Sequence, residues 1–197
     1  MAATGAVPGP DGALRCPWGV STADYLPYHD DEWGRAVRGD DALFERLSLE
    51  AFQSGLSWIT ILRRREGFRR AFADFRIAAV AAYTDEDRER LLADAGIIRN
   101  RAKIDATLAN ARVLAGWAPG DLDALIWSYA PDPATRPVPR TLADVPAVTD
   151  ESTALSKALK TRGLRFVGPT TAYALMQACG LVNDHLADCV ARDPAAA

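Results

Sequence analysis

The spacing of apolar residues is the tightest constraint on what this chain can fold into. From Asp40 onward they recur at intervals of three and four, and no segment alternates convincingly as a strand would. Leu43, Phe44, Leu47 and Phe52 mark the apolar side of a first helix, with Asp40 and Asp41 read as its amino-terminal caps. Further helices are expected at about 57–72, 76–83, 85–94, 99–114, 120–129, 150–162 and 168–179. Five prolines between Ala130 and Val148 (Pro131, Pro133, Pro137, Pro139 and Pro146) remove backbone donors and mark a connecting loop. The roughly fifty residues beyond it are too few for a comfortable core of their own. The expectation is therefore one all-helical domain over 14–197, preceded by a flexible extension at 1–13 rich in Ala, Gly and Pro.

With 49% hydrophobic and 25% charged residues in 197, the chain can bury a proper core without disulfides. No run of about eighteen apolar residues predicts a membrane span, and no basic segment precedes an apolar stretch at the start. Three scattered cysteines do not make a disulfide framework, so a reducing cytoplasmic setting is expected, with thiols free to meet a metal. A monomer is expected.

A net charge of −3 counts against a simple electrostatic nucleic-acid binder. Local clusters soften that: Arg63, Arg64, Arg65, Arg69 and Arg70; Arg99, Arg101 and Lys103; Lys157, Lys160, Arg162 and Arg165. Each cluster also reads as a solvated helix face. Residues 89–104 suggest a helix, a tight turn at Gly96 and a second helix. Ile97 and Ile98 would anchor this hairpin, and backbone N–H groups near Arg99 would be turned outward to bind a DNA phosphate. An ordinary helical corner reads the same way.

The chain has only two histidines. His185 and Cys189 are four apart and would share one face if that segment is helical. Cys16 and His29 would complete a Cys2His2 set, a donor mixture suited to tetrahedral zinc. Four protein ligands leave no position for water, so such a zinc ion would be structural, joining the two ends of the chain. Spacing alone leaves open a surface histidine beside a buried thiol. Cys179 is assigned to the core.

Trp18, Tyr25, Tyr28, Trp33 and Trp58 crowd into a little over forty residues. Their flat faces can sandwich a nucleobase, and a cationic base gains about 0.5–2 kcal/mol more from cation–π attraction. The same cluster also suits a core. Glu50 stands in an apolar run, Leu47-Ser48-Leu49-Glu50-Ala51-Phe52, where an unpaired charge is costly unless it occupies the helix's solvated face.

Taken together, these residues resemble the DNA-3-methyladenine glycosylase I family of bacterial alkylation repair, in the helix-hairpin-helix glycosylase superfamily. The resemblance rests on Arg15-Cys16-Pro17-Trp18-Gly19, Tyr28-His29-Asp30-Asp31-Glu32-Trp33-Gly34, Leu49 to Trp58, Asp94 to Arg99, Leu155 to Lys160, Phe166-Val167-Gly168 and Met176 to His185. It implies hydrolysis of the N-glycosidic bond of 3-methyladenine in double-stranded DNA by base flipping, which leaves an abasic site. It places Cys16, His29, His185 and Cys189 at the family's zinc positions and Glu50 at the pocket acid. Tyr28 and Trp58 fall at pocket aromatics, supported by Tyr25, Trp18 and Trp33, and Leu56 after Gly55 at the residue that plugs the emptied stack. A non-catalytic DNA-binding module and a zinc hydrolase are the rival readings. The Glu50 and aromatic constellation disfavours the first, and the closed ligand set disfavours the second.

Overall fold

The computed structural model describes residues 5–192; residues 1–4 of the expected extension and 193–197 of the expected domain lie outside that range. Ten α-helices dominate the described residues: α1 (Tyr25–Pro27), α2 (Asp40–Gln53), α3 (Trp58–Leu62), α4 (Arg65–Ala71), α5 (Ile77–Ala81), α6 (Asp85–Ala93), α7 (Arg101–Leu114), α8 (Asp121–Trp127), α9 (Asp150–Thr161) and α10 (Pro169–Ala178). No helix among them is long and apolar enough to cross a membrane.

Helix α2 is the axis of the fold. Residues Leu47 to Phe52 are buried without interruption, as expected of a helix covered on every side. It packs on α10, α8, α3 and α7, and its Phe44 and Phe52 join Phe68, Phe72 and Phe75 in an aromatic core. The expected capping by Asp40 and Asp41 is not what these carboxylates do. Gly39 holds the cap position; Asp40 accepts from Gly120 N and Asp123 N, and Asp41 from Ile77 N, so both tie α2 to neighbouring elements.

Elsewhere the helix starts follow local rules. Thr84 with Asp87, and Thr149 with Ser152, form reciprocal caps for α6 and α9, and Asn100 accepts from Lys103 N at the start of α7. The helix expected over 57–72 is two, α3 and α4, broken at Arg63–Arg64. The turn at Gly96 needs no left-handed conformation at that residue. The close approach is made by Gly67 in α4, where a Cβ would lie 2.5 Å from the carbonyl oxygen of Gly96.

Two segments differ from the sequence reading. Val7–Pro8 pairs antiparallel with Leu14–Arg15, so within 5–13 the chain is a small hairpin, held by Arg15 on Asp11, rather than a loose extension. At the other end, Asn183 to Val190 is not helical; His185 and Cys189 come together in an irregular turn. The two ends are laced together by Val190 N to Leu14 O (2.8 Å), Gly34 N to Gln177 O (3.1 Å) and Val37 N to Cys179 O (3.1 Å).

Candidate functional site

Where these ends meet the carboxy-terminal half of α2, a cavity of about 290 Å³ opens. Trp18, Tyr25, Tyr28, Trp33, Glu50, Gln53, Trp58, Ala174 and Gln177 line it. Trp18 makes edge contacts with Tyr25 and Trp33 at centroid distances of 5.5 and 5.0 Å, and Tyr28 leans on Trp58 at 5.4 Å. All five aromatic residues expected at a base pocket therefore share one cavity, whose size suits a single small planar ligand.

Glu50 is 5% exposed. No hydrogen bond reaches its carboxyl group among the described residues, so burial pushes its pKa up to about 8, opposed by Arg46 one turn earlier. Burial also pushes the Tyr28 hydroxyl well up, reinforced by Glu50. Arg46 is partly satisfied by Glu32, at 3.4 Å, and among the described residues one of its terminal nitrogens is buried without a partner. Trp58 Nε1, on the cavity wall, is likewise buried and has no partner among the described residues.

A second cavity adjoins the first through Glu50, Gln53 and Ala174, and continues along Ser54, Gly55, Leu56, Thr170 and Thr171. Gly55 has φ +79°, which an L side chain resists, and the turn it permits leaves Leu56 42% exposed at the rim. Lys103 fixes that turn from behind: its ammonium donates to Phe52 O at 2.8 Å and Ser54 O at 2.6 Å. Lys103 is thus a buried prop and not part of a solvated basic face; burial lowers its pKa. Gly96 and Arg99 are exposed on the α6–α7 turn, and α7 reaches the Leu56 turn through Lys103. Of the first basic cluster, Arg63 pairs with Asp24, Arg65 with Glu32 and Arg69 with Glu45 and Glu66.

The second helical hairpin, α9–α10, was not singled out by the sequence reading. Asn110 clamps its turn, accepting from Arg165 N at 2.8 Å and donating to Arg165 O at 3.0 Å, and Ser156 donates to Val167 O. That brings the first turn of α10 opposite Leu56. Gln53, Ala174 and Gln177 were also missed as cavity residues; Ala174 and Gln177, three apart, share a helix face.

Directly behind the aromatic wall lie Cys16, His29, His185 and Cys189. All four are buried, and their ligand atoms lie within 4.8 Å of one another. His29 Nδ1 is 2.7 Å from Asp30 Oδ1 and His185 Nε2 is 3.0 Å from the carbonyl of Trp33. Both partners only accept, so each ring donates outward and turns its bare nitrogen inward, where His29 Nε2 and His185 Nδ1 stand 3.2 Å apart. Cys189 Sγ lies 3.5 Å from the first and 3.6 Å from the second. Cys189 is drawn far below the ordinary thiol range by Cys16, with His185 and His29 adding to it, and Cys16 is driven up by the same pairing and by burial. Such a knot of inward lone pairs lacks a positive centre, and the four residues could hold a metal ion. Gly19 lets the chain pass close: a Cβ there would sit 2.5 Å from the His29 ring.

A helical protein with a ring-lined hollow, a buried acid on its wall and an apolar finger at its rim belongs to the class of enzymes that take a single planar base out of a larger polymer. Comparison with known proteins makes this specific. The chain belongs to the methyladenine glycosylase family, which it matches over residues 18–192. The DNA-3-methyladenine glycosylase 1 of Escherichia coli (strain K12) is 46% identical over 177 residues, covering 89% of this chain and 95% of that one. A crystal structure of 3-methyladenine DNA glycosylase I has a TM-score of 0.82 at 43% identity, covering 89% of this chain and 98% of the other. A Staphylococcus aureus structure concerned with the structural basis of 3-methyladenine recognition has a TM-score of 0.81 at 34% identity, covering 90% and 96%.

Proposed function

We propose that the cavity holds a 3-methyladenine turned out of double-stranded DNA, with Glu50 as the group that recognises its positive charge. As a member of this family the chain is a base-excision repair glycosylase: it hydrolyses the N-glycosidic bond of 3-methyladenine in alkylated DNA. Methylation at N3 makes the base cationic within the nucleotide, so the glycosidic bond is already weakened and discrimination matters more than acid catalysis. The single observation that carries the reading is a buried carboxyl group that no hydrogen bond reaches among the described residues, on the wall of a hollow made of aromatic rings.

An empty cavity favours the neutral acid. A cationic base favours the carboxylate, which accepts its hydrogen bonds and offsets its charge at low local dielectric, where such attraction is strongest. Tyr28 and Trp58 stack on the base, supported by Tyr25, Trp18 and Trp33, a contact worth about 1–3 kcal/mol per base. Water adds to the sugar carbon as the base leaves, and an abasic site remains. Leu56 fills the emptied stack, which offsets part of the few kcal/mol that extrusion costs. Gly55 gives the finger its turn, and the exposed Gly96–Arg99 turn and the first turn of α10 face phosphates on either side of it.

The Cys16, His29, His185 and Cys189 set fits one structural zinc ion. Tetrahedral zinc at its usual bond lengths sets nitrogen–nitrogen edges of about 3.3 Å and nitrogen–sulfur edges of about 3.6 Å, close to the separations found here. Asp30 and the Trp33 carbonyl orient the two imidazoles from outside. With four protein ligands the ion supplies rigidity and no reacting water. The protein acts as a monomer on duplex DNA.

The test is release of 3-methyladenine, followed by chromatography, from methylated duplex DNA. Glu50→Gln is expected to keep the fold and lose most of the excision; wild-type turnover in that variant would refute the role.

A further inference from the structure

Gln177 sits in the last turn of α10 and forms part of the cavity wall. Its side-chain amide is not free to present either end. Nε2 donates to Asp184 Oδ2 at 2.9 Å, and a carboxylate can only accept, so the nitrogen must face Asp184. Asp184 is itself buried and held from both sides: Arg136 donates to its Oδ1 at 2.9 Å, and the Tyr173 hydroxyl to its Oδ2. Each of its hydrogen-bond partners among the described residues, Arg136, Tyr173 and Gln177, donates to it, which locks the amide. The other end, Oε1, has no donor among the described residues. A buried network on one side of the wall thus fixes the polarity of a group on the other.

We propose that Gln177 selects adenine over guanine among the N3-methylated purines, its Oε1 accepting a hydrogen bond from the exocyclic 6-amino group. This rests on the base-recognition reading above. The 6-amino group has two hydrogens, enough for the Glu50 carboxylate and Gln177 Oε1 together. 3-Methylguanine carries a carbonyl oxygen at the same ring position and would oppose an acceptor to an acceptor, a mismatch that excludes more strongly than a missing contact. Charge alone cannot make this choice, because methylation at N3 leaves both purines cationic. Glu50 answers the charge that damage creates and takes one amino hydrogen, and Gln177, pinned by Asp184, supplies the second acceptor that sharpens the choice of base.

The experiment measures single-turnover release of 3-methyladenine and 3-methylguanine from the same methylated duplex by wild type, Gln177→Met and Glu50→Gln. Gln177→Met keeps the length and removes the acceptor. Its ratio of adenine to guanine release is expected to fall at least tenfold, through faster release of 3-methylguanine, freed of the opposed acceptor, together with slower release of 3-methyladenine. An unchanged ratio, whether both rates hold or both fall together, overturns the proposal; a parallel fall is what a merely structural role would give. If Glu50→Gln excises at the wild-type rate, the underlying reading fails; if it is impaired while the Gln177→Met ratio stays put, only this inference fails. A second measurement probes the ligand side. Binding of free 3-methyladenine and 3-methylpurine, followed by tryptophan fluorescence, should differ about tenfold for wild type and by clearly less for Gln177→Met. Equal differences in the two proteins overturn the proposal as well.

Discussion

At the scale of single residues, Glu50 is the side chain whose chemistry and stability conflict. Its pKa in the folded protein, about 8, lies above the ordinary 4.5 of the unfolded chain. Between those values the folded state holds a proton that the unfolded state has released, so stability falls as pH rises through that window. The loss amounts to at most about 4–5 kcal/mol once pH passes 8, at about 1.4 kcal/mol per tenfold change in proton affinity. Glu50→Gln should remove this slope and leave the variant more stable than wild type at pH 8.5, with little difference at pH 4.5. Urea melts at the two pH values check it, and parallel pH profiles would show that the carboxyl group is not held neutral. The sequence exposed half of this conflict: an acid within Leu47 to Phe52 was visible as costly, but one period of helix could not say whether its face was solvated. Only the cover supplied by α10 and the amino-terminal aromatics decides that, and those partners are more than a hundred residues away or on the far side of a turn. Gln177 was less legible still. It stood in a motif carrying the resemblance, yet its polarity depends on Asp184 and on Arg136, which comes from the proline-rich loop read only as a connection.

At the scale of elements, helices were readable where a local cap or amphipathic spacing sets them, as at α6, α7 and α9, and misread where a side chain serves a distant partner. Asp40 and Asp41 look like caps for α2 because nothing local shows that the N–H groups they accept from belong to the start of α8 and to α5. His185 and Cys189 look helical by their spacing, and an irregular turn brings them together instead. The same distinction governs Lys103. It caps the carboxy-terminal end of α2 from α7, where a cation suits the exposed carbonyls and the helix dipole. Lys103→Met should cost about 2 kcal/mol, the scale of hydrogen bonds to a charged group, and should slow excision as well, because the Gly55–Leu56 turn loses its prop. Leu56→Ala makes the opposite test. An exposed apolar tip contributes little to folding, so the melt should hold within about a degree while excision from duplex DNA falls about tenfold or more. The loss should be smaller on single-stranded substrate, which has no stack to fill. Equal losses on both substrates would remove the finger from the mechanism.

At the scale of the whole molecule, segments from the amino-terminal and carboxy-terminal parts of the described chain build the cavity wall together, and the cysteine–histidine knot lies between them. Trp18 packs on the His29 ring at 4.9 Å and Trp33 on the His185 ring at 4.7 Å, so two rings of the cavity wall rest directly on two candidate ligands. The other amino-terminal donor, Cys16, opens the segment that carries Trp18, and it packs with Cys189, Leu186 and Ala191 in one small buried cluster. A metal here would hold the cavity open at long range, without touching the base. Purified protein should contain one equivalent of zinc, and Cys189→Ser should lower both zinc content and the melting midpoint. For a chain of this length, a loss of about 3–5 kcal/mol corresponds to a fall of roughly 6–20 degrees. Because the rings that pack on the ligands are tryptophans, removing the metal with a strong chelator should also shift their emission and weaken binding of free 3-methyladenine, with both changes reversed by added zinc. Wild type that purifies without zinc, with a melting midpoint that Cys189→Ser leaves unchanged, would leave the ends joined by backbone hydrogen bonds and packing alone, and the lone pairs of His29 and His185 facing each other unrelieved.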